Sequence, residues 1–179
     1  MAKKILIISS TPRSGGNSEI LCEAFARGAR ESGNEVKVLY LRDYKIHYCS
    51  GCGACSEQGL PCPQKDDLPQ IQRELLNADS IVLATPVYFY TLSAQMKTLI
   101  DRICSFYTEL SNKEFWFIVT AADGDLSMMQ RTVECFRGFT DCLEGAIERG
   151  AIYGLNVWKK GEIDHTPAVE EAYLAGKKA

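Results

Sequence analysis

The stretch Lys3-Lys4-Ile5-Leu6-Ile7-Ile8-Ser9-Ser10-Thr11-Pro12-Arg13-Ser14-Gly15-Gly16-Asn17-Ser18 decides the fold. Its apolar run does not alternate with polar residues, the pattern of a strand covered on both faces of a parallel sheet. Hydroxyls and a glycine pair come next, then an amphipathic segment, which is the order of strand, turn and helix N-terminus. The run falls short of the ~7–15 apolar residues of a signal-peptide core, so a first strand is the better reading. It is placed at Lys3–Ser9, and the first helix at Asn17–Glu31, where Ile20, Leu21, Ala24 and Phe25 share a face.

The same alternation continues along the chain. Glu35–Leu41 reads as a second strand. An irregular segment from Arg42 to Asp67 follows, and loops of this length are usually functional or disordered. Leu68–Asn77 reads as a short helix and Ser80–Thr85 as a third strand. Leu92, Met96, Leu99, Ile100 and Ile103 mark a strongly periodic helix. Phe115–Ala121 is a fourth strand, Ser127–Arg149 a long helix and Ala151–Val157 a fifth strand. Thr166 suits the cap of a last helix, Pro167 its first position, and Gly176 its end. Right-handed crossovers then predict an α/β fold, a doubly wound five-stranded parallel sheet of order 2-1-3-4-5 with helices on both faces. One domain is expected over residues 1–179, with a cysteine-rich loop at about 42–67.

The 179 residues carry a net charge of −3, with 46% hydrophobic and 24% charged residues. Nothing in that balance suggests a general affinity for nucleic acid or anionic membrane. No apolar run reaches the ~20 residues of a membrane span, and a cytoplasmic location is expected. Eight cysteines in that compartment are expected as thiols. Cys22, Cys104, Cys135 and Cys142 lie in helix-like apolar segments and are expected to be small buried hydrophobes.

Ligands of doubly wound sheets sit outside the carboxyl ends of the strands. The loop after strand one has hydroxyls, backbone amides and a helix N-terminus, a cradle for a phosphate dianion, with Arg13 able to add a charge-assisted bond. It lacks the lysine of a triphosphate-binding loop and the three glycines of a dinucleotide site, so a monophosphate remains. The loop after strand three, Thr85-Pro86-Val87-Tyr88-Phe89-Tyr90-Thr91, offers amides and aromatic surface to a planar ring.

Thr11-Pro12-Arg13 with Asn17-Ser18, and then Thr85-Pro86-Val87-Tyr88-Phe89, resemble the two signature loops of the NADPH-dependent FMN reductase family. Leu92-Ser93-Ala94-Gln95-Met96-Lys97, ending at Asp101-Arg102, is similar to that family's helix. The resemblance implies a flavodoxin-like fold, FMN as cofactor, NAD(P)H as electron donor, and a homodimer or homotetramer. It implies that Ser10, Thr11, Arg13, Asn17 and Ser18 hold the phosphate. Pro86, Val87, Tyr88 and Phe89 would border the isoalloxazine, and Thr120, Ala121, Asp123 and Gly124 would form the third flavin loop. Where the family often has Gly-Ser, this chain has Ser10-Thr11.

Cys49-x2-Cys52-x2-Cys55-x6-Cys62 is the sharpest chemical feature. Thiolates so closely spaced can ligate one [4Fe–4S] cluster, and the spacing resembles that of the iron–sulfur flavoproteins, a branch of the same family. Structural zinc or a redox disulfide, and metal-free thiols in a loop over the flavin, are the other readings. His47 is expected at the surface. Three functions follow. One is an FMN-dependent NAD(P)H oxidoreductase acting on flavin, quinone or a similar small-molecule acceptor. Another is an electron carrier with FMN and a [4Fe–4S] cluster that exchanges electrons with ferredoxin. The third is a flavodoxin-like scaffold without cofactor.

Overall fold

The computed structural model describes residues 2–179. Five parallel strands, β1 (Lys4–Ser9), β2 (Glu35–Tyr40), β3 (Ser80–Pro86), β4 (Glu114–Thr120) and β5 (Ile147–Gly154), form one sheet in the order β2-β1-β3-β4-β5. Every pairing is parallel. The helices are α1 (Asn17–Glu31), α2 (Leu68–Asn77), α3 (Ala94–Ile103), α4 (Leu126–Thr140) and α5 (Ala168–Lys178). Topology and strand order are those expected, and the fold is flavodoxin-like.

The unbroken apolar strands work as two alternating sets. Leu6, Ile8, Ile81, Leu83, Phe115 and Phe117 pack against α2, α3 and α4. Ile5, Ile7, Val82, Ala84, Trp116 and Ile118 face α1 and α5 on the opposite side. Each central strand thus feeds two cores, which is why its sequence shows no period of two.

Three boundaries differ from expectation. The helix expected to reach Arg149 stops at Thr140, and β5 begins at Ile147 rather than Ala151. The chain turns through Gly145 at φ +67, and the Asn112 amide bonds the Glu144 carbonyl at 2.7 Å. Glu148 and Arg149 read as a helix surface because β5 is an edge strand, where charges are common. Arg149 pairs with Glu114 and Glu148 with Arg137. The pairing of β5 with β4 shifts register beside Phe115. The strand also ends earlier than expected, at Gly154.

The last helix differs too, beginning at Ala168 and passing through Gly176. Gly176 and Gly28 of α1 are reciprocal contact points. A Cβ on Gly28 would strike the Tyr173 carbonyl, and one on Gly176 would strike the Phe25 carbonyl. Bare backbone lets the two helices meet there. Gly28→Ala should therefore lower folding stability by about 1–3 kcal/mol through overpacking. Urea unfolding of the variant beside wild type measures this, with Gly138→Ala as a control: it lies in α4 with nothing within 4 Å, so it should be stabilised by up to about 1 kcal/mol rather than destabilised.

Candidate functional site

The carboxyl ends of the strands open into a cleft of about 120 Å³. Thr11, Arg13, Asn17 and Ser18 line it from the first loop, Pro86, Val87 and Tyr88 from the loop after β3. Thr120 and Ala121 line it after β4, and a fourth segment after β5 adds Val157, Trp158 and Lys160.

Backbone bonds hold these loops in register. The Ser10 amide donates to the Ala84 carbonyl at 2.9 Å, Val87 to Thr120 at 2.8 Å, and Ala121 to Gly154 at 2.8 Å. Ser18 and Thr120 share a hydrogen bond of 2.6 Å between their hydroxyls. No side chain caps the N-terminus of α1, so its first amides are available to a ligand. Glu19, in the first turn of that helix, folds back onto the same loop without lining the cleft. Its carboxylate accepts the Gly15 amide at 3.0 Å and pairs with Arg42 at 2.8 Å. No Asp or Glu lines the cleft, whereas Arg13 and Lys160 do. The electrostatics are those of an anion site.

Not every residue expected in this site lies in the cleft. Ser10 is buried below it, donating from its hydroxyl to the Ala84 carbonyl at 3.1 Å and accepting from Ser93 at 2.8 Å. Asn17 lines the cleft, but its side chain is engaged. Its amide group donates to the Lys159 carbonyl at 2.9 Å, and its oxygen accepts from the Gly161 amide at 3.0 Å. Arg13 donates to the Trp158 carbonyl at 3.0 Å.

Phe89 is fully exposed and outside the cleft, at the tip of a two-residue turn closed by mutual Tyr88–Thr91 backbone bonds. Phe89 and Tyr90 both take positive φ, 50° and 60°, where glycine or asparagine is usual. A left-handed bulky residue costs about 1–2 kcal/mol. The Tyr90 hydroxyl, which donates to Asp123 at 3.1 Å, helps hold the turn. Asp123 and Gly124 also lie outside the cleft lining. Asp123 accepts the Asp125 amide at 2.9 Å, and Gly124 packs against Asn156. Trp158 and Lys160 carry no motif and follow an edge strand that ends at Gly154, so no local pattern in the sequence marks them.

The second chemical feature is the cysteine loop. Its neck is laced shut. Asp67 exchanges backbone and side-chain bonds with Lys45, and the Gln64 amide donates to the Tyr48 carbonyl at 3.1 Å. At the centre lies Arg102 of α3, paired with Asp66 at 2.6 Å, their side chains only 2% and 1% exposed. The guanidinium also donates to the His47 carbonyl at 2.7 Å and to the Cys62 sulfur at 3.4 Å. Burial works against the Asp66 charge, but Arg102 and the His47 and Leu68 amides outweigh it and hold the carboxyl below its usual range.

Beyond the neck, Cys49 and Cys52 are exposed, and Cys55 and Cys62 partly so. Among the described residues no three Cys, His, Asp or Glu side chains converge as a metal-binding group, so the loop does not present a ready-made ligand set. All eight cysteines are free thiols.

Only Cys22 of the four expected buried thiols is buried. Burial pushes its thiol up, out of reach of ordinary ionisation. Cys104, Cys135 and Cys142 are exposed instead, along a groove between α3 and α4 that Cys49 also enters. Their apolar neighbours Ile100, Phe139 and Leu143 line that groove rather than close over them. Cys104 is also a fifth thiol beside the loop. Desolvation, then the nearby Cys55 and Cys49 thiols, hold it above its ordinary value.

Comparison with known proteins agrees with this architecture. The family model for NADPH-dependent FMN reductase matches residues 3–143. The chain belongs to the NADPH-dependent FMN reductase family. An iron-sulfur flavoprotein of Archaeoglobus fulgidus is 39% identical over 100 residues, covering 56% of this chain and 45% of that protein. A second iron-sulfur flavoprotein of that organism is 29% identical over 183 residues, covering 97% and 92%. The chain spans about half the length of the first curated relatives it matches. Among solved structures, the NAD(P)H:quinone oxidoreductase from Methanothermobacter marburgensis superposes with a TM-score of 0.79 at 16% identity, covering 99% and 96% of the two chains. It shares the fold. Among the described residues no helix is long and apolar enough to cross a membrane.

The neck yields a direct test. Removing one partner of a buried ion pair strands the other, so Asp66→Asn should cost about 3–5 kcal/mol in urea unfolding at neutral pH. Because the folded carboxyl lies below its unfolded value of about 3.9, the pair contributes fully above that value. Its contribution is lost as pH falls through the lowered folded value. The gap between wild type and variant should therefore narrow in acid.

Proposed function

We propose that the cleft binds FMN and that the protein is an NAD(P)H-dependent flavin oxidoreductase. The observation that carries this reading is the cleft itself. Uncapped amides of α1, two cations and no carboxylate meet there, beside the turn after β3 that offers Val87 and Tyr88 to a flat ring. The residues present fit a flavin monophosphate. Thr11, Ser18 and the α1 amides would hold the phosphate, and Pro86, Val87 and Tyr88 would border the ring. Arg13 and Asn17 brace the loop after β5 at the same time, so they act partly through it. Bound FMN would supply hydride acceptance at its N5 and transfer to flavin, quinone or a similar acceptor. The chain's own part is positioning: the Ser18–Thr120 bond and the Val87–Thr120 bond fix the ring's walls against the phosphate cradle.

The cleft is smaller than the ~300–1,000 Å³ of most cofactor pockets, which favours a homodimer or homotetramer in which a second copy completes the wall. The exposed Phe89 beside the cleft supports that arrangement. A cytoplasmic location is favoured by eight unpaired thiols.

A second reading adds a [4Fe–4S] cluster on Cys49, Cys52, Cys55 and Cys62 and makes the protein an electron carrier partnered by ferredoxin. The motif spacing and the relatives named iron-sulfur flavoproteins favour it. The thiols as arranged do not, since they do not converge.

Anaerobic purification followed by flavin and iron analysis tests both readings. FMN in the protein, with rapid NAD(P)H oxidation and no iron, supports the oxidoreductase. Near four irons per FMN, by the stoichiometry of the cluster, with slow nicotinamide turnover, would shift the conclusion to the electron carrier. A chain that neither retains nor takes up FMN overturns both.

A further inference from the structure

The segment after β5 is not a passive neighbour of the cleft. It is tied down by Arg13 and Asn17. Arg13 donates to the Trp158 carbonyl, and the Asn17 side chain donates to the Lys159 carbonyl while accepting from the Gly161 amide. The segment also braces itself. Glu162 accepts the Trp158 amide at 2.7 Å and the Lys159 amide at 2.8 Å, and these two backbone bonds hold its carboxyl below the usual range. A carboxylate that would otherwise be free to pair with a nearby lysine is thus committed to backbone.

These contacts bring the Lys160 side chain over the phosphate loop. A Cβ placed on Gly15 would lie 2.7 Å from Lys160 Cε and 2.9 Å from its Nζ, and Gly15 sits at φ +63. The ammonium therefore lies over the backbone of the Gly15 turn. Lys160 lines the cleft and has no carboxylate partner among the described residues. Lys160 is exposed, and what its ammonium is set against is the first loop and the cleft rather than a carboxylate.

We infer that Lys160 is a phosphate-binding residue of this site. Delivered by the loop after β5, it makes the cleft select a flavin monophosphate over the uncharged flavin. Arg13 supplies a cation from the first loop while bracing Lys160's own segment, so the two charges reach one site from opposite ends of the chain. The inference rests on the flavin reading above.

The test is a titration of the flavin-free full-length chain with FMN and, separately, with riboflavin, followed by flavin fluorescence. Wild type should prefer FMN. Lys160→Met should weaken FMN binding about tenfold, the scale of one charge-assisted contact, and leave riboflavin binding unchanged. Lys160→Arg should restore most of the preference, and Lys159→Met, whose side chain does not line the cleft, should leave it intact. An unaltered FMN-to-riboflavin ratio in Lys160→Met overturns the inference and leaves the flavin site standing. Equal loss for both flavins also overturns it, since that marks a wall residue and not a phosphate contact. Wild type that binds flavin with no preference for FMN overturns the phosphate reading beneath it.

Discussion

The carboxyl end of this sheet depends on one constraint: polar groups at the ends of strands buried on both faces must find partners within the protein. Ser10 and Ser93 meet it together. The Ser10 amide and hydroxyl both donate to the Ala84 carbonyl, and Ser93 donates to the Ser10 hydroxyl while capping α3. The first loop, the end of β3 and the start of α3 are thereby fixed to one another in a place with no water to spare. Ser18 and Thr120 repeat the device one strand over. Serine at position 10 is accounted for by this internal bonding. Its hydroxyl belongs to the scaffold, and Thr11 takes the place at the cleft.

The readable parts of the sequence were those where one physical demand acts alone. β1 and β3 need only be apolar on both faces, and α1 and α3 need only a stripe. Such segments state their structure in composition and period. Misreadings arose where two demands share a residue. Glu148 and Arg149 satisfy an edge strand's need for charge, and the same letters serve the outside of a helix. Gly176 looks like a helix stop because glycine permits one, yet here it permits two helices to touch. Cys104, Cys135 and Cys142 sit among apolar residues in sequence, but those residues line an open groove, which no local pattern reveals.

The candidate site was legible in the same uneven way. The loops after β1 and β3 carry dense chemistry next to recognisable strands, so they stood out. The contribution after β5 depends on a side chain, Asn17, reaching across 142 residues of sequence to the Lys159 carbonyl. From sequence, Asn17 reads as a ligand of the phosphate. In the fold it is more a clasp, and what it clasps carries the second cation.

The cysteine loop shows how a fold can be rigid at one end of a segment and permissive at the other. Its neck is held by a buried guanidinium that answers a carboxylate, a backbone carbonyl and the Cys62 sulfur at once. Such a pair contributes little net stability compared with a well-packed apolar core, and its value lies in specifying one arrangement. Here it seats Cys62 and the residues beside Cys49 on α3, while Cys52 and Cys55 ride on a turn with glycines at positions 51 and 53 in the left-handed region. The held neck and the glycine-bearing turn thus set Cys62 on one side, and Cys52 and Cys55 on the other, on backbone of different kinds.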